Sequence, residues 1–195
     1  MQLYLVRHGA TVGNESGVYQ GWSDTALSPA GRRQCEAIRR KLERIEFDVV
    51  ISSPLGRAIS SAQLITGLSR DQILICEAFK EFNFGAWEGL SYREVQRQYP
   101  REWQAWCSDW QVAVLPGGEN FTAFYQRIHD GWERLAEVYH SQSILLVGHA
   151  GPFRVLASIL LKMPPESCWR LSFDFGCYSW FECQEGIPVL RKLNC

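Results

Sequence analysis

The chain has no apolar run approaching the roughly 20 residues that cross a bilayer. It also has no positively charged leader ahead of its first apolar segment and no Cys-x-x-Cys pair. The first two absences lead us to expect a cytoplasmic protein with no membrane role. The seven cysteines, at 35, 76, 107, 168, 177, 183 and 195, are odd in number and irregularly spaced. They read as reduced, mostly buried thiols rather than a disulfide framework. Net charge is lacking too: 20 Lys and Arg oppose 21 Asp and Glu, for a formal −1. No whole-molecule field therefore draws the chain to nucleic acid or anionic lipid, and any anion must be held by a local cluster of cations. There is no internal repeat, low-complexity tract or long linker, and no Asp/Glu/His cluster at metal-ligand spacing. No metal or cofactor is expected.

What is present is a globular composition, 46% hydrophobic and 21% charged over 195 residues. That suits one domain with a substantial core. Leu3-Tyr4-Leu5-Val6 is an apolar run of strand formers that stops on Arg7, His8 and Gly9. A strand apolar on both faces is a buried parallel strand, and its carboxyl end is where an open α/β sheet places ligands. Val12 to Ala26 reads as a polar loop, with Tyr19 and Trp22 as a ligand-facing wall. Ser28 caps a helix with Pro29 in its first position; Cys35, Ile38, Leu42 and Ile45 form its buried stripe. The basic run Arg39-Arg40-Lys41 on that helix is a solvated face.

Phe47 to Ile51 is a second strand, followed by Ser52 to Arg57 and a helix over 58–68. Ile73 to Ile75 is a third strand, and Glu81 to Gly89 is a glycine-punctuated loop that fits neither period. Residues 91–110 are helical, with a capping box at Ser91 and Glu94 and a break at Pro100. Trp103, Trp106 and Trp110 fall on one face of the second piece. After the turn at 116–118 comes a helix with the stripe Phe121, Phe124, Ile128, Trp132, Leu135 and Tyr139. Ser143 to Val147 is a strand that again ends on glycine and histidine, Gly148-His149, with a helix over 152–161 beyond it. The end of the chain is a hairpin about Glu185-Gly186. This alternation predicts an α/β fold. We expect a three-layer sandwich with a mostly parallel central sheet, helices on both faces, and residues 86–120 as a small helical cap within a single domain, 1–195.

Three strand-to-helix junctions carry Arg7 with His8, Arg57, and His149. If the strands are parallel neighbours, these four groups converge on one crevice. Two guanidiniums and two imidazoles repel one another unless an anion lies between them, and a phosphoryl group accepts the arginine forks. Singly, each residue is as readily a core histidine or a solvated arginine; the repetition at three junctions favours a phosphate site.

The motifs that carry these residues resemble those of the histidine phosphatase (phosphoglycerate-mutase-like) superfamily. They are Leu5-Val6-Arg7-His8-Gly9-Ala10-Thr11 with Asn14, the loop from Gly21 to Gly31, Ser52-Ser53-Pro54-Leu55-Gly56-Arg57-Ala58, Glu81 to Gly89, and Val147-Gly148-His149-Ala150-Gly151. Ala10 departs from the pattern, since many members carry Glu there. The resemblance implies that His8 attacks phosphorus as a neutral imidazole. Arg7, Arg57 and His149 would stabilise the transferring group, with Asn14 as a neutral donor, and Glu81 would act as general acid and then base. Asn14 is also open to reading as a turn residue. Gln20, Gly21 and Ala150 are further candidate contacts, and a homodimer remains open. The cap segment 103–111 and Gly117-Gly118-Glu119-Asn120-Phe121 look like the α-ribazole-5′-phosphate phosphatases of cobalamin nucleotide-loop assembly. There Trp106 and Trp110 could stack on the substrate's flat ring, although such a stripe more often packs as core, and Glu119 could simply cap a helix. A broad-specificity phosphatase, a mutase and a non-catalytic phospho-ligand binding module are the rival readings.

Overall fold

The computed structural model describes all of residues 1–195. Its centre is a sheet of six strands: β1 (Gln2–Arg7), β2 (Val49–Ser52), β3 (Leu74–Ile75), β4 (Ser143–Gly148), β5 (Tyr178–Gln184) and β6 (Ile187–Lys192). Their spatial order is β3-β2-β4-β1-β5-β6. The four strands from β3 to β1 run parallel, and β5 and β6 are antiparallel additions. Alternation along the parallel strands divides the core. Leu3, Leu5, Ile51, Ile144 and Leu146 face one side; Tyr4, Val6, Val50, Leu145 and Val147 face the other. The first side is covered by α6 (Phe121–Val138) and α7 (Ala150–Leu160). The second is covered by α2 (Pro29–Leu42) and α3 (Gly56–Thr66). This is the expected mostly parallel three-layer sandwich.

Local chemistry accounts for the element ends. Ser28 accepts from the Gly31 amide at the start of α2, and the Ser91–Glu94 capping box opens α4 (Tyr92–Gln98). Pro100 stops α4 and occupies the first position of α5 (Pro100–Ser108). At the β5–β6 turn both central residues have positive φ, Glu185 at 51° and Gly186 at 77°, the primed geometry that matches strand twist. No helix is long and apolar enough to cross a membrane.

Four details differ from expectation. The polar loop after β1 contains a short helix, α1 (Val12–Glu15), because Thr11 and Asn14 form a reciprocal capping box. Helix α5 ends at Ser108, so Trp110 lies beyond it and the stripe of three tryptophans is broken after Trp106. Asn120, not Glu119, caps α6, by accepting from the Ala123 amide. All seven cysteines are unpaired, but only Cys35 and Cys168 are buried.

Candidate active site

The register of the sheet assembles the crevice. Arg7 pairs with Gly148 across β1 and β4, and Ser52 pairs with Val147 across β2 and β4. The chain then leaves all three strands at the same level. The His8 amide donates to Gly148 O at 3.0 Å, and the Ser53 amide to Val147 O at 3.0 Å. His8, Ser53 and His149 therefore stand side by side at the carboxyl edge, with Arg57 on the first turn of α3.

His8 is buried, and its Nδ1 lies 2.7 Å from Gly9 O. A carbonyl can only accept, so Nδ1 carries the proton and Nε2 keeps a free lone pair. Burial, then the positive charges of Arg57 and Arg7, hold the His8 pKa well below the ordinary histidine value. His8 is thus neutral in the physiological range. The His149 ring lies 5.0 Å away at 63° and is also buried and held neutral, by burial first and Arg57 second. Its Nε2 is 2.7 Å from Ser53 Oγ. With that hydroxyl donating, the His149 proton sits on Nδ1, which has no protein partner.

The guanidiniums are fixed by backbone oxygens. Arg57 is 2% exposed, so its charge would be costly without partners. Its Nη2 donates to Gly21 O at 2.6 Å, and its Nη1 to Ser23 O at 2.8 Å and to Asp24 Oδ1 at 3.1 Å. Arg7 Nη1 donates to Phe173 O at 2.7 Å, while its Cζ sits 3.4 Å from the Phe175 ring centre. The Nε atoms of both arginines are buried without a protein acceptor. Three unpartnered buried donors, the two Nε atoms and His149 Nδ1, thus belong to residues of one crevice.

Glu81 closes the other side. Its Oε1 accepts from the Phe82 amide at 2.9 Å and its Oε2 from the Gly151 amide at 3.3 Å. Burial pushes the carboxyl above the ordinary carboxylate range, against the lowering pull of those amides and of Arg57 and Arg7. A Cβ on Gly151 would come within 2.2 Å of Glu81 Oε1. Gly151→Ala is therefore expected to keep the fold, since α7 tolerates alanine, while displacing the carboxyl. Turnover should fall about 100-fold with little change in thermal unfolding; unchanged turnover would show that the position of Glu81 is unimportant.

Beside Glu81 opens a cavity of about 380 Å³. Apart from Glu81, Gly151 and Arg154 its wall is apolar, and it includes Tyr19, Phe82, Phe84, Trp106, Phe124 and Trp169. Ala150 and Trp106 belong to this wall, and Trp110 does not. Its ring instead packs edge-on against Phe121 at 4.5 Å and Trp169 at 5.5 Å. Trp22 is 42% exposed, with its Nε1 donating to Glu81 O at 2.8 Å and Lys80 Nζ 3.9 Å over its ring. Asn14 Oδ1 accepts from the Thr11 amide and hydroxyl, so the cap occupies its oxygen and its Nδ2 makes no protein hydrogen bond. The Gln20 amide bridges Thr11 Oγ1 and Thr25 Oγ1. Gly21 serves through its carbonyl, which holds Arg57. No group of three or more His, Cys, Asp or Glu side chains is placed to hold a metal ion.

Several residues here had no assigned role in the sequence. Glu88 accepts from the amides of Gly21, Trp22, Ser23 and Phe84 and from the Ser23 hydroxyl, so it shapes the loop whose carbonyls grip Arg57. Arg127 makes a two-pronged pair with Glu119, both contacts at 2.9 Å, and donates to Ala78 O and Lys80 O behind Glu81. Arg154 follows Ala150 by one turn, a spacing that could have flagged it.

The family model described as the histidine phosphatase superfamily, branch 1, matches residues 3–195. The chain is 36% identical over 194 residues to the adenosylcobalamin/α-ribazole phosphatase of Escherichia coli K12, covering all of this chain and 96% of that protein. It is 29% identical over 194 residues to phosphoserine phosphatase 1 of Hydrogenobacter thermophilus, covering all of this chain and 92% of the other. The crystal structure of the α-ribazole phosphatase from Shigella flexneri superposes with a TM-score of 0.94 at 38% identity, over all of this chain and 96% of that one.

Proposed function

The chain belongs to the histidine phosphatase superfamily and is a phosphatase, and from that premise we propose that it removes the 5′-phosphate of α-ribazole 5′-phosphate, or of adenosylcobalamin 5′-phosphate, through a phosphohistidine at His8. The observation that carries the nucleophile is the Nδ1–Gly9 O contact in a buried, neutral ring. The lone pair on Nε2 attacks phosphorus and the bond to the ester oxygen breaks. Arg7, Arg57 and His149 balance charge on the equatorial oxygens, for which their unpartnered donors are suited. Asn14 adds a neutral donor through Nδ2. Glu81, whose acid form burial favours, gives its proton to the leaving alkoxide; the resulting carboxylate then takes a proton from the water that hydrolyses phosphohistidine.

The substrate assignment rests on the apolar cavity that opens directly off Glu81, the group proposed to protonate the leaving alcohol. A dimethylbenzimidazole is flat and apolar, and Phe82, Phe124 and Trp106 line the cavity with aromatic rings suited to it. Residues 86–120 act as the cap that roofs this cavity through Trp106. Seven unpaired cysteines fit a reducing, cytoplasmic setting.

Comparison of kcat/KM for α-ribazole 5′-phosphate, p-nitrophenyl phosphate and 3-phosphoglycerate tests the assignment. The ribazole ester is expected to lead by at least about 100-fold, the worth of a buried aromatic group. Near-equal constants would instead indicate a broad phosphomonoesterase.

A further inference from the structure

The cavity wall contains one cation that the chemistry at phosphorus does not use. Arg154 stands on α7 one turn beyond Ala150, on the face that adjoins Glu81. Its Nε donates to Leu171 O at 3.0 Å, and its Cζ lies 5.0 Å from the centre of the Trp169 ring. These contacts fix the stem and the plane of the guanidinium. The terminal nitrogens Nη1 and Nη2 make no protein hydrogen bond. No carboxylate pairs with it either, whereas Arg57, Arg127 and Arg191 each have an acidic partner. Glu81 and Arg154 are the only ionisable carboxylate and guanidinium in a wall that is otherwise largely aromatic and aliphatic. Arg154 is also close enough to Arg7 for the two positive charges to oppose each other. Its place is therefore between the phosphate crevice and the apolar cavity.

A guanidinium anchored along one edge presents its remaining fork to whatever enters, and that fork matches the paired oxygens of a carboxylate or phosphate. Apolar walls strengthen such a pair relative to water. We propose that Arg154 forms a second anion subsite, which reads a negatively charged oxygen group on the leaving alcohol. This rests on the cavity being the leaving-group side of the site, and it goes beyond recognition of a flat ring. α-Ribazole 5′-phosphate has only hydroxyls beyond its scissile phosphate. A nucleotide loop in which the ribose 3′ oxygen is already a phosphodiester carries the anion this subsite takes, as does any leaving alcohol bearing a carboxylate.

Two matched pairs of probes separate the anion sources: adenosine 3′,5′-bisphosphate against adenosine 5′-monophosphate, and O-phosphoserine against O-phosphoethanolamine. Each is measured as a competitive inhibitor of p-nitrophenyl phosphate hydrolysis, so that none need be turned over. For the wild type, the anion-bearing member of at least one pair is expected to bind about tenfold more tightly than its partner. Arg154→Gln should bring that ratio close to one, and Arg154→Lys should leave an intermediate value, with thermal unfolding confirming that both variants fold. Because the ratio is taken within one variant, a general loss of phosphate affinity cancels. A preference for the bisphosphate identifies a phosphate-reading subsite, and a preference for phosphoserine a carboxylate-reading one. A wild-type ratio at or below one in both pairs, or a ratio that survives Arg154→Gln, overturns the proposal. α-Ribazole phosphate is in neither pair, so the ribazole assignment can fail while the subsite stands, and the reverse.

Discussion

Replacing His8 with alanine is expected to lower kcat/KM by about 10⁵-fold, the scale on which enzymes lose activity when a covalent nucleophile is removed. The size follows from how little else in the crevice can attack phosphorus. His149 is the other imidazole, but its Nε2 faces Ser53 Oγ at 2.7 Å and its ring meets His8 at 63°. It has no free lone pair directed at the same point. Water could replace His8 only from the space the ring vacates, without a base placed for it. Phosphate binding should survive, because Arg7 and Arg57 are held by Phe173 O, Gly21 O and Ser23 O and not by His8. The variant is therefore expected to bind inorganic phosphate within about tenfold of wild type, measured by calorimetry, while turnover is lost. Loss of both together would mean that His8 holds the site open and does no chemistry of its own.

Glu81→Gln carries the second largest effect, a fall of about 10³-fold in kcat/KM, which reports the phosphorylation step, for an alkyl phosphate. An alkoxide is a poor leaving group and needs the proton, whereas p-nitrophenolate leaves unaided, so the loss of kcat/KM on p-nitrophenyl phosphate should be only about tenfold. The pH dependence has a definite sign. The carboxyl pKa is raised, so the acid form persists above the ordinary range, and phosphorylation holds at low pH and declines as pH rises through that raised value. Dephosphorylation, which in the proposed mechanism needs the carboxylate, should run the opposite way. His8 adds no acid limb near the ordinary histidine value, since its own pKa lies well below it. Single-turnover rates across pH should show the two opposed limbs in wild type and neither in Glu81→Gln. Equal losses on alkyl and aryl esters would remove Glu81 from the leaving-group step.

Much of this site was legible because it lies where sequence patterns are strong. Apolar runs ending in Arg7-His8 and Gly148-His149 mark buried strands, and parallel register brings their ends level. Trp110 departs from its helical spacing for a related reason: the periodicity runs on past Ser108, but the helix stops there. Glu88 had no such signal. Its partners are mostly backbone amides of a loop 65–67 residues earlier in the chain, and an amide leaves no mark in side-chain periodicity. The C-terminal stretch hid its part similarly. Phe173 contributes a carbonyl, Phe175 a ring face beneath Arg7, and Trp169 a surface beside Arg154. In sequence these are scattered aromatics in short irregular segments, and only the closure of β5 against β1 brings that region to the crevice.

The proposed reaction turns on a phosphoryl group passing through His8 Nε2. Its most direct test is a rapid alkaline quench of wild-type enzyme mixed with substrate labelled in the phosphate, followed by proteolysis and mapping of the label. The expected result is an acid-labile, alkali-stable phosphohistidine on the peptide that contains His8, forming and decaying at rates compatible with turnover. Label on another residue would contradict the account, as would a His8→Ala enzyme that hydrolyses the substrate at the wild-type rate.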